Sequence, residues 1–303
     1  MNIENLKYFI RVVDQKSITK AAQDEHLTQS AMTQIIKKLE DEFSCGLLER
    51  SNKGIEATEC GQLVYEYAKT MLNSYDSMKS RLACMTEGCY SIIIKPCCSM
   101  DNYILPKALF KIQNEYKNIK VDVMIEQKPQ IINEIKIGIT DFGFVMGDTP
   151  VEKTLDIDIV GNEQIVLVAG NQTPIENPML FCDIEKYKFI DFSLGSYGDE
   201  VRKRIKEQVR KDLSPMNLTP FFAIDSITAI KSLVESNFGI AFLPYFTVKH
   251  DVEQGKFKMI TIKEFALDLP IKIISKKDAQ LSPLVVSLKK SLIDTSRKLF
   301  KEM

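Results

Sequence analysis

A chain of 303 residues, 45% of them hydrophobic, is long enough for at least two domains with buried cores. Its 40 lysines and arginines balance 41 aspartates and glutamates, so net charge gives no support for nucleic-acid binding, and any such contact must depend on where the charges lie. Because no run of about 20 apolar residues and no secretory signal is visible, the sequence predicts a cytoplasmic protein.

The seven cysteines form neither a secreted disulfide framework nor a metal site. Their number is odd, no C-x-x-C pair occurs, and only two histidines could add ligands. We therefore expect reduced thiols and no cofactor or metal. Cys97 and Cys98 are adjacent, which we interpret as a buried strand end, with a redox sensor as the alternative.

Three short helices are predicted in the first 43 residues. Ser17 is a suitable N-cap for the second helix, whose Ala21-Ala22 pair allows another helix to approach closely. Thr28 can cap a third helix that continues to about Phe43. The first helix is predicted from apolar residues at helical spacing: Leu6, Phe9, Ile10 and Val13.

The third helix has two distinct faces at about 100° per residue. Its apolar side holds Met32, Ile36, Leu39 and Phe43. The opposite side holds Ser30, Thr33, Gln34 and Lys37, with Gln29 near the helix start. Their hydroxyl, amide and ammonium groups suit contacts with base edges and phosphates. Taken alone, this helix favours an ordinary amphipathic helical bundle with a solvated polar face.

A hairpin is predicted directly after the third helix. Leu47-Leu48 is followed by a polar tip that could reach the DNA backbone or minor groove: Arg50, Asn52, Lys53 and Gly54. Small residues at the helix crossing, the Thr28 cap and this wing make the pattern more specific for DNA binding, but they leave the ordinary bundle open.

The amino-terminal motifs follow one another without gaps: Leu6-x-x-Phe9, Ser17-Ile18-Thr19-x-Ala21-Ala22, Thr28-Gln29-Ser30-Ala31-Met32-Thr33-x-x-Ile36-x-x-Leu39-Glu40, Leu47-Leu48-x-Arg50 and Thr58-Glu59-x-Gly61. They resemble the winged helix-turn-helix of LysR-type transcriptional regulators. The resemblance implies that Gln29, Ser30, Thr33, Gln34 and Lys53 lie at or near DNA. We predict the full set of contacts as Ser17, Thr19, Thr28, Gln29, Ser30, Thr33, Gln34, Lys37, Arg50 and Lys53.

Three positions depart from the family pattern. Ser30 stands where proline is common, Gln34 where arginine is common and Ile35 where glutamine is common. The third helix is therefore expected to anchor phosphates more weakly, and the family's base preferences do not transfer.

From Thr58 to about Glu87 the sequence predicts one uninterrupted helix, roughly 45 Å long at about 1.5 Å per residue. Its apolar residues step by threes and fours, the spacing of a helix-packing seam: Val64, Tyr67 or Ala68, Met71, Tyr75, Met78 and Leu82. We favour dimerisation through this seam over packing against the chain's own second domain. A two-fold axis would place two third helices on one side of a duplex, so the operator is expected to contain inverted half-sites.

After residue 88 short apolar strands alternate with helical stretches, which predicts a βαβ pattern with a mostly parallel sheet. Asp225-Ser226 and Gly239-Ile240-Ala241-Phe242-Leu243-Pro244 resemble the effector domain of the same regulators. The implied fold class is α/β: two Rossmann-like lobes similar to type II periplasmic binding proteins, joined by a long linker helix to an N-terminal all-α winged helix-turn-helix. The expected domains are 1–58, 59–88 and 89–303, with lobe I at about 89–161 and 266–303 and lobe II at about 162–265.

Four loops at strand ends are predicted to line an effector crevice between the lobes. Their candidate residues are Ser99, Met100, Asp101, Gln127, Lys128, Met146, Gly147, Phe192, Ser193 and Ser196. Ser99 could equally be a helix cap. A solvated loop is the alternative for Gln127 and Lys128, and it is favoured at Lys128. Serine hydroxyls suit a carboxylate, whereas Asp101 would repel one, so a neutral or amine-bearing effector stays open.

The chain is thus expected to be an allosteric DNA-binding regulator. Its expected partners are an inverted-repeat duplex, a small-molecule effector, a second copy of itself in a homodimer, and RNA polymerase. The family resemblance further implies that two such dimers form a homotetramer. A solute-binding receptor would not need residues 1–58. An enzyme is disfavoured because the four loops hold no histidine and the chain has no Ser/His/Asp set or Gly-rich phosphate loop.

Overall fold

The structure is a computed structural model that describes residues 2–51, 54–97, 104–192, 195–209, 219–263, 265–277 and 283–302. The chain divides into two compact units, Met1–Cys89 and Tyr90–Met303. Within the described ranges, every helix is too short or too polar to cross a membrane.

The amino-terminal unit consists of three short helices, a hairpin and a long helix. In chain order these are α1 Ile3–Gln15, α2 Ile18–Asp24, α3 Gln29–Phe43, β1 Leu48–Ser51, β2 Gly54–Ala57 and α4 Glu59–Glu87. Side-chain oxygens of Ser17, Thr28 and Thr58 accept the N–H groups of Lys20, Ala31 and Gly61 and so cap α2, α3 and α4. The predicted caps of α2 and α3 are confirmed, as is the extent of the long helix.

The core of this unit differs from the predicted one at two positions. Val13 is only half-buried, whereas Val12 is fully buried, because α1 packs against α4 as well as against α2 and α3 and its buried face is correspondingly wide. Phe43 is 38% exposed. As the last residue of α3, followed by Ser44 in the left-handed conformation, it lies beyond the packed helices.

The carboxy-terminal unit alternates strands and helices along most of its length. Its elements are β3 Tyr90–Pro96, α5 Ile104–Glu115, β4 Ile119–Val123, α6 Lys128–Ile137, β5 Phe142–Met146, β6 Leu155–Gly170, a 3-10 helix Phe181–Lys186, β7 Ile190–Phe192, α7 Gly195–Val209, β8 Phe222–Ile224, α8 Ile227–Glu235, β9 Ile240–Pro244, α9 Tyr245–Glu253, β10 Phe257–Ile260, β11 Leu267–Lys276 and α10 Pro283–Glu302.

Seven of these strands form one sheet in the order β10-β6-β11-β5-β3-β4, with β9 also pairing with β6. The prediction of a mostly parallel sheet is wrong. β3 pairs in parallel with β4 and β5, but β6 and β11 are antiparallel to each other and to their other partners. These two long strands lie in the middle of the sheet, and the alternation of short strands and helices in the sequence does not reveal their antiparallel pairing.

In this segment the apolar pattern of the sequence predicts a strand only at 164–169, whereas strand β6 begins at Leu155. Beyond residue 164 its side chains alternate between two clusters, as the two-residue period of a strand requires. Ile165, Leu167 and Ala169 enter the larger cluster, and Val166 and Val168 enter a second one with α8 and β9. Because this part of β6 is buried on both faces, its sequence is a continuous run of apolar residues.

The sequence also predicts a helix at 131–137 and a strand at 121–126, and both bounds differ in the structure. Helix α6 begins at Lys128, because Pro129 occupies its first turn and the apolar period starts only after it. Strand β4 spans Ile119–Val123, since its ladder is set by pairing with Tyr90–Ile94 of β3.

Candidate functional site

The polar face of α3 lies at the protein surface. Ser30, Thr33, Gln34 and Lys37 are exposed, whereas Met32, Ile36 and Leu39 are buried. The predicted division of the helix into two faces is thus confirmed, apart from Phe43. Within its own unit, the described residues leave this surface open to solvent.

Hydrogen bonds within the first turn decide which groups of this face are available. The Thr28 hydroxyl accepts the Ala31 N–H at 3.2 Å and lies 3.1 Å from the Ser30 hydroxyl. The Thr33 hydroxyl donates to the Gln29 carbonyl at 2.8 Å, so it presents a methyl group and acceptor lone pairs outward. Within the described ranges, Gln34 and Lys37 have no hydrogen-bond or ion-pair partner, so both are available to an external ligand.

The start of α2 lies in the same part of the unit. Ser17 is half-buried and its hydroxyl accepts the Lys20 N–H at 3.3 Å, whereas Thr19 is exposed. The Lys16 carbonyl accepts the Ile55 N–H of the hairpin at 3.0 Å. A Cβ at Gly54, whose φ is +112°, would lie 2.7 Å from that carbonyl, so this close approach requires glycine.

Glu40 fixes the hairpin to α3. Its Oε1 accepts the N–H groups of Leu47 at 2.8 Å and Leu48 at 3.3 Å. The sequence analysis assigned Glu40 no such positioning role, although a glutamate at the end of α3 just ahead of the turn was the available signal. Arg50 belongs to β1, but its side chain lies outside the described part of the chain, as do Asn52 and Lys53.

The base of the hairpin is held by the start of α4. Thr58 donates its N–H to the Leu47 carbonyl at 3.0 Å and its hydroxyl to the Gly46 carbonyl at 2.7 Å. A Cβ at Gly61 would lie 2.0 Å from the Leu47 carbonyl oxygen. The wing is thereby positioned by α3 on one side and by α4 on the other.

Most of the predicted seam along α4 is exposed. Tyr67, Met71, Tyr75, Met78 and Leu82 are between 38% and 62% exposed. Val64 is different, because it is half-buried and packs against the amino-terminal core. Leu63 and Met85 add two more exposed apolar side chains at 58% and 76%. A helix with this many uncovered large apolar side chains is typical of an interaction surface.

In the carboxy-terminal unit the structure brings α6, the end of β5 and α7 together. Lys128 is the first residue of α6, and its Nζ donates to the carbonyls of Met146 at 3.1 Å and Asp148 at 2.8 Å. The same Nζ lies 3.7 Å from Glu200 Oε2. The favoured interpretation of Lys128 as part of a solvated loop is therefore wrong, because this side chain is only 12% exposed. Gln127, its neighbour, is exposed.

Gly147 allows α7 to approach the end of β5. Its φ is +80°, and a Cβ there would lie 2.4 Å from Glu200 Cγ. Met146 is buried beside it. Two independent constraints, the left-handed backbone and the contact with Glu200, thus require glycine at this position.

A set of ion pairs joins the loop after β5 to α7. Asp148 pairs with Lys203 at 2.9 Å and with Arg204 at 2.7 Å, and Arg204 lies 3.4 Å from Glu200. The hydrogen bond from Lys203 and the charge of Arg204 lower the pKa of Asp148 below its usual range. Burial lowers the pKa of Lys272 on the adjacent β11. Sequence reasoning missed these residues, although Glu200, Lys203 and Arg204 share one helical face.

The end of β7 is fixed by a second group of charges. Arg202 pairs with Asp191, bonds Asp199 at 2.6 Å and donates to the Phe192 carbonyl at 3.2 Å. Burial, which outweighs the pairing with Arg202, raises the pKa of Asp191. Ser196 lies in α7 but its side chain falls outside the described residues, as do Ser193, Ser99, Met100 and Asp101. Cys97 is buried at the end of β3, in agreement with the predicted strand end, and Cys98 falls outside the described residues.

Comparisons with known proteins agree with both halves of the chain. Residues 3–62 match the family model described as "Bacterial regulatory helix-turn-helix protein, lysR family", and residues 97–297 match "LysR substrate binding domain". Similar proteins include the HTH-type transcriptional regulator CysL of Bacillus subtilis (strain 168), 27% identical over 88% of each chain. The nitrogen assimilation regulatory protein nac of Klebsiella aerogenes is 24% identical over 97% of this chain and 94% of its own.

Solved structures share the fold. CbnR, a LysR family transcriptional regulator, superposes with a TM-score of 0.69 at 19% identity, covering 98% of this chain and 99% of its own. CbnR complexed with its target DNA gives the same TM-score at 18% identity over 98% and 100%. Full-length BenM, in a mutant form, gives 0.57 at 21% identity over 100% and 97%. The predicted fold class, a helix-turn-helix unit and a two-lobe α/β domain similar to type II periplasmic binding proteins, is confirmed.

Members of this family are transcriptional regulators rather than enzymes, and they bind DNA and effector ligands. The two family models together extend from residue 3 to residue 297. The chain therefore belongs to the LysR family of DNA-binding transcriptional regulators with an effector-binding domain.

Proposed function

We propose that this regulator binds an inverted-repeat operator as a symmetric homodimer, with α3 of each protomer in a major groove. The observation that carries the proposal is the exposed face of α3, whose Gln34 and Lys37 have no partner among the described residues. An amide of this kind bonds adenine bidentately, and an ammonium group contacts phosphate or guanine. Ser17, Thr19, Thr28, Gln29, Ser30, Thr33, Arg50 and Lys53 complete the proposed contact set.

Dimerisation is proposed to occur through α4. Its exposed stripe of tyrosines, methionines and leucine supports a partner helix, because burying such a stripe is the main source of stability for a long helix. We place the seam at Tyr67, Met71, Tyr75, Met78 and Leu82, with Val64 at its end beside the amino-terminal core. Two dimers would form a tetramer, and the assembly would act on RNA polymerase in the cytoplasm.

The effector is proposed to bind between two lobes, at about 89–161 with 266–303 and at about 162–265. Supporting this position, Lys128, Met146 and Gly147 at one wall adjoin Glu200 of α7 at the other. Gln127, Phe192, Ser193 and Ser196, with Ser99, Met100 and Asp101, would line the rest of the crevice. Ligand binding would change how the lobes close, and operator affinity would change with it by about 1–3 kcal/mol.

The experiment starts by selecting duplexes from a random-sequence library with the purified full-length chain. The double variant Thr33→Ala, Gln34→Ala is then compared with wild type by footprinting on the selected duplex. We expect the footprint to disappear while the oligomeric state by sedimentation stays unchanged. Gln62→Ala, which removes an exposed amide from α4 instead, is the matched control and should retain the footprint. An undiminished footprint with the double variant would refute the assignment of α3.

A further inference from the structure

Two cysteines meet at the base of the wing. Cys45 lies in the turn between α3 and β1, and Cys60 is the second residue of α4. The neighbouring Cys60 thiol contributes to raising the pKa of the Cys45 thiol, so the two side chains lie near each other although 15 positions separate them in the sequence. The segment between them contains the whole hairpin formed by β1 and β2.

The backbone holds these two positions together independently of the thiols. The N–H of Thr58 donates to the Leu47 carbonyl at 3.0 Å, and the Thr58 hydroxyl donates to the Gly46 carbonyl at 2.7 Å. On the next turn, Gly61 approaches Leu47 so closely that a Cβ would lie 2.0 Å from its carbonyl oxygen. These backbone contacts hold the turn that contains Cys45 against the start of α4 that contains Cys60.

The two thiols differ in access to solvent. Cys60 is exposed, whereas Cys45 is half-buried. Partial burial, the adjacent Cys60 and the carboxylate of Glu40 raise the pKa of the Cys45 thiol. Since the thiolate is the nucleophile and an oxidant must reach it, Cys60 is the residue that reacts first.

We propose that Cys45 and Cys60 are an oxidation site at which a hydroperoxide forms a reversible disulfide across the base of the wing. The Cys60 thiolate attacks one peroxide oxygen, the O–O bond breaks, and Cys60 becomes a sulfenic acid while the other oxygen leaves and is protonated. The Cys45 thiol then attacks the Cys60 sulfur, forms the S–S bond and releases water. With hydrogen peroxide, two thiols and one peroxide give one disulfide and two waters.

The bond would close a loop that contains the wing and would join the end of α3 covalently to α4. Because a disulfide acts mainly by restricting the unfolded chain, it would oppose local opening of the wing base without requiring new contacts. The site differs from the proposed effector crevice, since both cysteines belong to the unit Met1–Cys89.

A second thiol pair provides an internal control. At the end of α4 the Cys89 N–H donates to the Cys84 carbonyl at 2.9 Å, and the neighbouring Cys84 thiol raises the pKa of the Cys89 thiol. Cys84 is only 3% exposed and Cys89 is half-buried, so neither is as open to an oxidant as Cys60. Cys182 is exposed and belongs to the other unit, and it serves as a control for an isolated exposed thiol.

The test treats the reduced full-length chain with hydrogen peroxide, blocks remaining thiols with N-ethylmaleimide and digests with trypsin. Cleavage after lysine and arginine places Cys45 in peptide 39–50 and Cys60 in peptide 54–69. Cys84 and Cys89 share the longer peptide 82–107 with Cys97 and Cys98, because Pro96 prevents cleavage after Lys95. We expect the cross-linked species 39–50/54–69 to be the first disulfide detected, and dithiothreitol to remove it. It should be absent from Cys45→Ser and Cys60→Ser and should form normally in Cys182→Ser.

The variants also separate the two steps. In Cys45→Ser, Cys60 should accumulate as a sulfenic acid that dimedone traps, whereas in Cys60→Ser the less exposed Cys45 should stay alkylatable for several-fold longer. Two results would overturn the proposal: Cys45 and Cys60 remain fully alkylatable at peroxide doses that oxidise Cys182, or a disulfide within peptide 82–107 forms first.

Discussion

The replacement Glu163→Gln gives a large and pH-dependent change in stability. Glu163 lies on β6, is only 4% exposed, and its Oε1 accepts the Phe246 N–H at the start of α9 at 3.0 Å. Burial raises the pKa of Glu163 from its ordinary value of 4.5 to about 8, although the bonds from Phe246 and Tyr245 oppose the change and Asp268 adds to it. The folded protein therefore keeps this carboxyl protonated at neutral pH.

The sign of the effect follows from proton linkage. Between pH 4.5 and about 8 the folded chain holds a proton at Glu163 that the unfolded chain releases, so stability falls as pH rises through this window. At about 1.4 kcal/mol per pH unit, the loss reaches at most about 5 kcal/mol near pH 8 and then levels off. Glutamine has nearly the same shape, accepts the same hydrogen bond and does not ionise.

Urea unfolding followed by far-ultraviolet circular dichroism at pH 5, 6.5 and 8 measures the difference directly. Glu163→Gln should be close to wild type at pH 5 and more stable by several kcal/mol at pH 8. Glu185→Gln, at an exposed site, should show no such trend. A constant difference between Glu163→Gln and wild type across the three pH values would refute the assignment of a protonated, buried Glu163.

Three further replacements test the fold and the proposed interface. Lys95→Met should destabilise the chain by about 3–5 kcal/mol in urea unfolding, because the buried Glu134 would lose its cation. Glu134 is 0% exposed and its carboxylate lies 2.6 Å from Lys95 Nζ. The double variant Lys95→Met, Glu134→Leu removes both charges and should recover most of the lost stability. Gly61→Ala should cost about 1–3 kcal/mol through its clash with Leu47, whereas Gly46→Ala, with open space around it, should melt near wild type in calorimetry. Met71→Lys should shift the sedimentation coefficient toward the monomer, and Glu66→Lys, an exposed charge reversal on the same helix, should leave it in place.

The amino-terminal unit was largely predictable because local signals define it. Hydroxyl caps at Ser17 and Thr28 located the starts of α2 and α3, and the apolar period located the end of α3. The errors arose where tertiary packing decides burial. Val12 is buried because α4 crosses α1, and the role of Glu40 depends on backbone N–H groups seven and eight residues away.

The carboxy-terminal unit was less predictable because its pairings are long-range. Alternation of Leu155, Asp156 and Ile157 was a strand signal that would have extended β6. A bulge in β6 opposite Ile271 and Lys272 shifts its pairing register with β11. As a result Ile159 is 56% exposed and the next residue, Val160, is buried, so buried and exposed side chains no longer alternate along β6. The contact of Lys128 with Glu200 joins residues 72 positions apart, and nothing in the local sequence of either indicates the other.

The most direct test of the central claim concerns the major groove itself. Replacing each adenine of the selected half-site by 7-deazaadenine removes the N7 acceptor, which faces only the major groove. On the unmodified duplex, Gln34→Ala should lower the affinity by about 1–3 kcal/mol, the value of a bidentate contact. When the adenine that Gln34 contacts in each half-site is replaced by 7-deazaadenine, this difference between Gln34→Ala and wild type should shrink toward zero. An equal loss for Gln34→Ala on every modified duplex, or no loss on the unmodified one, would contradict the placement of α3 in the major groove.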